Sequence, residues 1–199
     1  LIETYLALYP EERSQLLFAD HSYTFYDSYV KVQPRSKKYV LTAAGPRQTG
    51  ARIVDPEKKK LIDSRKVFPY AVRTQNGHGE IYRNNLFVIL FTLVLNKLSS
   101  LDPYGIGVEM EAGKPGWDDA MNGLPGLFGS STPETMELLR LVRFLHETLA
   151  QQPQEDAGVK VPTEVFAFYQ GLDSLLAAEA PARDGKGPAD ALKSWAAAT

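Results

Sequence analysis

Apolar residues recur every three or four positions along much of the chain, which predicts amphipathic helices. This spacing is clearest at 132–152 and again from Thr163 onward. A further helix is predicted at 83–98, and its later part is a nearly unbroken apolar run. We therefore expect this helix to be buried on all sides. Proline followed by acidic residues predicts shorter helices that begin at Pro10 and Pro56. The pattern is therefore mainly α.

One region departs from the helical pattern. Residues 21–55 are rich in Tyr, Val and Thr, with turn signals at Pro34–Ser36 and Gly45–Pro46. The apolar and polar positions predict three short strands there, at 29–33, 38–43 and 51–54. We therefore expect a small β excursion near residues 29–54, as a β-rich insertion at 21–55 within a helical domain.

The whole chain, 1–199, is interpreted as a single helical domain. Residues 1–8 have a helical pattern without a start signal, and Leu1 is the first residue. We therefore expect the chain to be a fragment of a larger domain, whose remainder would be a partner.

Composition narrows the function classes. The formal net charge is −2, and no concentrated basic face is present, so we expect no nucleic-acid partner. The longest apolar run has about half the ~20 residues that span a bilayer, so we expect no membrane segment. The location is either cytoplasmic or unknown from the sequence. The chain has no cysteine, which excludes disulfides and thiolate metal sites. No cofactor motif appears.

A loop at 113–129 has the densest candidate chemistry. It holds five glycines and two prolines around Trp117, Asp118, Asp119 and Asn122. Cleavage of a glycosidic bond needs a carboxylic acid that stays protonated. A neighbouring carboxylate and an indole both favour the protonated form of Asp119. The indole and the amide are also suitable for binding a sugar ring and its hydroxyls. Alternatively, the two aspartates only cap a turn.

The sequence Trp-Asp-Asp-Ala-Met-Asn at 117–122 resembles the Trp-Asn-Asp-Gly-Met-Asn signature of the cellobiose and chitobiose phosphorylase family. Gly113 also resembles the glycine that leads into this motif. The resemblance implies an (α/α)6 barrel, inverting cleavage and Asp119 as the general acid. Asp118 and Ala120 depart from the signature, and the family's phosphate-binding residues have no assigned counterpart here. The substrate is expected to be a gluco-oligosaccharide. Whether phosphate or water accepts the sugar that is cleaved from it therefore stays open.

The barrel itself is only partly represented in the sequence. An (α/α)6 barrel needs twelve helices, or roughly 350 residues at the usual helix length plus loops. The chain has fewer predicted helices than that. We therefore expect part of an (α/α)6-barrel-like helical domain.

A second polar cluster precedes the apolar helix. Arg73, Gln75, His78 and Arg83 are suited to binding sugar hydroxyls or an anion near a helix N-terminus. Alternatively, this is a solvated loop with arginine salt bridges. No second histidine lies at ligand spacing from His78, so we expect no metal site.

Glu109 and Glu111 precede the glycine-rich loop, two positions apart. In an extended segment both would lie on one face, where either could supply a second carboxylate. Alternatively, they form a polar strand face.

Two functions follow from these residues. The first is an inverting carbohydrate-active enzyme, by phosphorolysis or hydrolysis. The second is a non-catalytic carbohydrate- or protein-binding helical domain, in which Trp117 would bind a ligand without cleaving it.

Overall fold

The computed structural model describes residues 1–43, 45–48, 52–101, 107–109, 130–152 and 158–179. The protein is mainly helical, as predicted. The α-helices of the described residues are α1 (Ile2–Leu8), α2 (Arg35–Lys38), α3 (Pro56–Asp63), α4 (Leu86–Leu98), α5 (Thr132–Ala150) and α6 (Thr163–Glu179). A 3₁₀ turn at Pro10–Glu12 and a π turn at Gln15–Ala19 follow α1.

The strands are short and form two-stranded ladders. They are β1 (Tyr23–Thr24), β2 (Val30–Val32), β3 (Tyr39–Thr42), β4 (Gly45–Gln48), β5 (Arg52–Val54), β6 (Arg83–Asn84), β7 (Val108–Glu109) and β8 (Ser130–Ser131). The pairs are β1–β6, β2–β5, β3–β4 and β7–β8. The three strands predicted from the sequence are present as β2, β3 and β5, each slightly shorter than expected.

The turn predicted at Gly45–Pro46 is wrong. Thr42 pairs with Gly45 and Leu41 with Pro46, so both of these turn-forming residues lie within β4 of an antiparallel hairpin. A two-stranded hairpin has only edge strands, where a proline that cannot donate to the ladder is tolerated. The turn predicted at Pro34–Ser36 leads instead into the short helix α2.

The chain divides into two compact units. The first consists of Leu1–Tyr29, Val54–Val94 and Arg140–Val161, and the second consists of Val30–Ile53, Leu95–Leu139 and Pro162–Thr199. Buried apolar residues in the first unit include Leu6, Leu17, Ile62, Phe87, Val88 and Phe144. Those in the second include Leu95, Val108, Leu138 and Leu172. The expectation of a single fragmentary domain at 1–199 with an insertion at 21–55 stays a prediction.

The apolar helix α4 begins three residues later than predicted because Arg83 and Asn84 belong to β6. Asn85 caps it, with its side-chain Oδ1 accepting a hydrogen bond from the Val88 backbone N–H at 3.0 Å. Phe87 and Val88 are buried, but Leu93 is 46% exposed, so the expected burial on all sides is wrong at Leu93. None of the helices in the described ranges is long and apolar enough to cross a membrane.

Candidate functional site

Two irregular loops between α3 and β6, residues 65–71 and 74–80, are held by buried charge. We call them the braced loops. The Arg65 side chain is only 6% exposed and forms an ion pair of 2.8 Å with Asp27, which is 8% exposed. Its Nη1 also donates to the carbonyl oxygens of Pro69 at 2.8 Å and Ala71 at 3.3 Å. Its Nη2 donates to the Gly77 oxygen at 2.9 Å. One guanidinium thus connects both loops.

Asp27 balances this buried charge. Lys58 lies 2.6 Å from the second carboxylate oxygen of Asp27. Burial by itself would raise the pKa of Asp27, but the hydrogen bonds from Lys58 and Arg65 outweigh burial and hold the pKa below its ordinary value. The carboxylate therefore stays ionised, as a buried arginine partner requires.

The second braced loop turns through left-handed backbone. Gln75, Asn76 and Gly77 have φ values of 52°, 55° and 94°. The Thr74 carbonyl oxygen accepts hydrogen bonds from the backbone N–H groups of Gly77 at 3.1 Å and Gly79 at 2.8 Å. A Cβ at position 77 would lie 2.8 Å from Nη2 of Arg65. Glycine is therefore needed at 77 for both backbone conformation and space.

Arg73 supports the same loops from the other side. Its Nη2 donates to the Val67 carbonyl at 2.8 Å and its Nη1 to the Gly79 carbonyl at 3.2 Å. Its Nε is buried and has no hydrogen-bond partner among the described residues. Both terminal nitrogens of this guanidinium therefore hold backbone carbonyls, whereas Nε does not.

The four polar residues predicted at 73–83 line one groove. Its volume is about 710 Å³, and its lining includes Arg73, Gln75, His78 and Arg83. Gln75 and His78 are exposed at the second braced loop. Arg83 lies in β6 opposite Thr24, and its Nη1 donates to the Ser22 carbonyl at 2.7 Å. Residues ten positions apart thus meet in one groove because the loop folds back before β6.

The groove is open to solvent and polar, but its volume is comparable to that of a small-ligand site. Its volume falls within the roughly 300–1,000 Å³ of such pockets. Glu80 and Tyr82 line it beside the amide, imidazole and guanidinium groups. These groups supply both hydrogen-bond donors and acceptors, as a polyhydroxylated ligand requires.

The other predicted site residues are less fully described. Trp117, Asp118, Asp119, Asn122 and Glu111 lie outside the described residues. The Glu109 backbone belongs to β7, opposite Ser130 in β8. Its neighbour Val108 donates its backbone N–H to Thr135 Oγ1 at 2.9 Å.

Sequence reasoning missed two features of this region. The Asp27–Arg65 pair joins residues 38 positions apart, and no local pattern reveals such a pairing. The rings of Tyr26 and Tyr70 stack at 5.5 Å on the protein surface. Each tyrosine is adjacent in sequence to residues that bind Arg65. This arrangement is visible only in the folded chain.

No group of three or more His, Asp or Glu side chains that could hold a metal ion occurs within the described ranges. Comparison with known proteins gave no match to any family model, curated protein or solved structure.

Proposed function

We propose that this chain is part of an inverting carbohydrate-active enzyme that cleaves a glycosidic bond in a gluco-oligosaccharide. The proposal is supported by the resemblance at 117–122 and by one structural observation. Four polar residues selected from the sequence, Arg73, Gln75, His78 and Arg83, line the same groove of about 710 Å³. The proposal includes an (α/α)6-type helical fold to which the remainder of a larger chain contributes.

In this proposal Asp119 donates the proton to the leaving oxygen. Inversion requires the acceptor to attack from the opposite face of the sugar. If water is the acceptor, Glu109 or Glu111 is the candidate base that activates it. If inorganic phosphate is the acceptor, it needs no such base. The resemblance implies a pocket at helix N-terminal ends, and the groove residues directly precede the N-terminus of α4. Trp117, Asp118 and Asn122 would bind the sugar beside the acid.

The decisive experiment replaces the proton donor. We expect Asp119→Asn to lower kcat on cellobiose by 10²- to 10⁴-fold, because general acid catalysis contributes about that much. Asp173→Asn, an exposed aspartate in α6, is the matched control and should retain the wild-type rate. Assays with and without inorganic phosphate distinguish phosphorolysis from hydrolysis. Wild-type turnover in Asp119→Asn, with circular dichroism unchanged, would refute the proposal.

A non-catalytic binding domain is the second candidate. The observation that favours it is the exposed, stacked Tyr26–Tyr70 pair, which is suited to holding a ligand without reacting with it. Binding of cellotetraose by the full-length protein, without turnover in the presence or absence of phosphate, would support this function.

A further inference from the structure

Two tyrosine rings are stacked on each other outside the groove. The rings of Tyr26 and Tyr70 have centroids 5.5 Å apart and planes within 10° of each other. Tyr26 is 72% exposed and Tyr70 is 40% exposed. Tyrosine is intermediate in burial in folded proteins, so the exposed fraction of Tyr26 is high. The stacked pair therefore presents an outer ring face to solvent.

The backbone fixes this pair. Tyr26 and Ala71 form an antiparallel bridge, and the Asp27 N–H donates to the Tyr70 carbonyl at 2.7 Å. Arg65 then binds the Asp27 side chain, next to Tyr26, and the carbonyls of Pro69 and Ala71 on either side of Tyr70. The residues that flank both rings are thus held by one buried guanidinium. Such pre-organisation lowers the entropy lost when a ligand binds.

Polar groups accompany the exposed ring face. The hydroxyl groups of Tyr26 and Tyr70 can each donate and accept a hydrogen bond. Lys59 and Asp63, on α3 of the same unit, form an exposed ion pair of 2.5 Å, and the Lys59 ammonium lies 5.5 Å from the centre of the Tyr29 ring. A ring face with its own hydroxyl donor and acceptor combines the two kinds of group that a sugar ring requires.

The area of this surface favours a small ligand over a protein. Aromatic side chains bury about 150–250 Å² each. Even with its exposed neighbours Val67 and Phe68, the patch offers on the order of 500 Å². A stable protein interface needs about 800 Å² from each partner. One or two sugar rings fit the available surface better.

We propose that Tyr26 and Tyr70 form a carbohydrate-binding platform that holds a pyranose ring of a gluco-oligosaccharide outside the groove. The C–H groups on one face of the sugar contact the electron-rich ring face, and the tyrosine hydroxyl groups bind its hydroxyls. The choice of a gluco-oligosaccharide rests on the proposed function. The stacking geometry depends only on the two tyrosines and on the backbone and Arg65 contacts that hold them.

The test follows the two rings directly. The full chain is made with ring-labelled tyrosine, and the NMR signals of Tyr26 and Tyr70 are identified by their loss in single variants. Titration with cellotetraose should shift both signals. In Tyr26→Ala the titration is monitored through the Tyr70 signal, and in Tyr70→Ala through the Tyr26 signal. Each substitution should weaken binding at least tenfold. Tyr26→Trp should retain binding because it preserves a flat ring.

A matched control exists in the same unit. Tyr5 and Tyr9 are exposed by 43% and 48%, with ring centroids 5.1 Å apart but planes tilted by 42°. Tyr9→Ala should therefore leave cellotetraose affinity within twofold of wild type. Absence of any shift at Tyr26 and Tyr70, or an equal loss in Tyr9→Ala, would overturn the platform. Concentration-dependent dimerisation that Tyr26→Ala abolishes, without sugar binding, would also overturn it.

The Asp119→Asn background separates this proposal from the catalytic one. In the Asp119→Asn variant the platform should still bind cellotetraose with the wild-type dissociation constant, although turnover is lost. Turnover retained in Asp119→Asn, together with tenfold weaker binding in Tyr26→Ala, would refute the catalytic function alone. Turnover lost in Asp119→Asn with no shift at either tyrosine would refute the platform alone.

Discussion

The braced loops and helix α6 are stabilised in different ways. Apart from a 3₁₀ turn at Gln75–Gly77, the loops lack regular secondary structure, yet they bury Arg65 and hold three consecutive residues in left-handed backbone. Helix α6 is regular over 17 residues, yet large apolar side chains on it remain substantially exposed. Leu172 is 4% exposed, whereas Phe166 and Leu176 are 47% and 43% exposed.

The difference lies in where each region finds its hydrogen-bond partners. A helix satisfies its backbone groups locally, between residues four positions apart. The braced loops have some local backbone hydrogen bonds as well, but several of their carbonyl oxygens accept from two arginine side chains that reach separate turns. Removing one side chain should therefore damage the loops far more than a substitution on the surface of α6 damages the helix.

The largest expected effect comes from Arg65→Ala. The substitution removes one of the two cationic partners of Asp27 and leaves the carbonyl oxygens of Pro69, Ala71 and Gly77 without their donor, at a cost of about 1–3 kcal/mol for each buried group that stays unsatisfied. Urea unfolding should show a decrease of about 3 kcal/mol or more in the free energy of unfolding. Lys60→Ala, which removes an exposed pair with Glu57, is the control and should leave stability nearly unchanged. Equal effects of the two variants would show that Arg65 does not brace the loops.

A smaller loss is expected for Gly77→Ala. The new methyl would require φ near 94° and would meet Arg65 Nη2 at 2.8 Å. We expect a decrease of about 1–2 kcal/mol in the free energy of unfolding, from backbone strain and displacement of the guanidinium. Unchanged stability would mean that the loop adopts another backbone conformation without penalty.

The lowered pKa of Asp27 predicts how the free energy of unfolding changes with pH. Its folded-state pKa lies below the ordinary value of 3.8, so the folded state favours the ionised form. Its contribution to stability is present in full above the unfolded pKa, and is lost as pH falls through the folded pKa. Wild type should therefore lose stability below about pH 4, as measured by urea unfolding across pH. Asp27→Asn should show a shallower decline, and parallel curves would contradict this assignment.

The smallest expected effect has the opposite sign. Gly171 lies within α6, and a Cβ there would meet no atom of the described ranges within 4 Å. Gly171→Ala should therefore raise the free energy of unfolding by up to about 1 kcal/mol, because alanine favours an exposed helix interior. Thermal unfolding of this variant beside Gly77→Ala would test the comparison directly. Destabilisation by both substitutions would show that α6 also depends on an unseen close contact.

Local signals predicted the elements well where residues act on their near neighbours. Pro56 and the Asp55 side chain, which accepts from the Lys58 N–H at 3.0 Å, begin α3 where expected. The predicted start of α4 was wrong because Arg83 and Asn84 belong to β6, which pairs with β1. In this pairing Asn84 lies opposite Tyr23 and Arg83 opposite Thr24, 61 and 59 positions away in sequence. That competition cannot be detected in a local window.

The candidate groove was predictable in its residues but not in its construction. The polar types at Arg73, Gln75, His78 and Arg83 indicated a binding cluster. Their convergence depends on Arg65 and Gly77, neither of which has a distinctive local pattern. The predicted roles of Trp117, Asp118, Asp119 and Asn122 stay predictions that the variants above can test.

The sequence by itself determined the helical character and most helix boundaries, because capping and apolar spacing act within a few residues. It also selected the polar residues of the groove. Only the tertiary structure decided that Asp27 meets Arg65, that the two loops are held in place, and that Tyr26 stacks on Tyr70. Those contacts join distant segments, and their stability comes from desolvated charge and shared hydrogen bonds that exist only after the segments have come together.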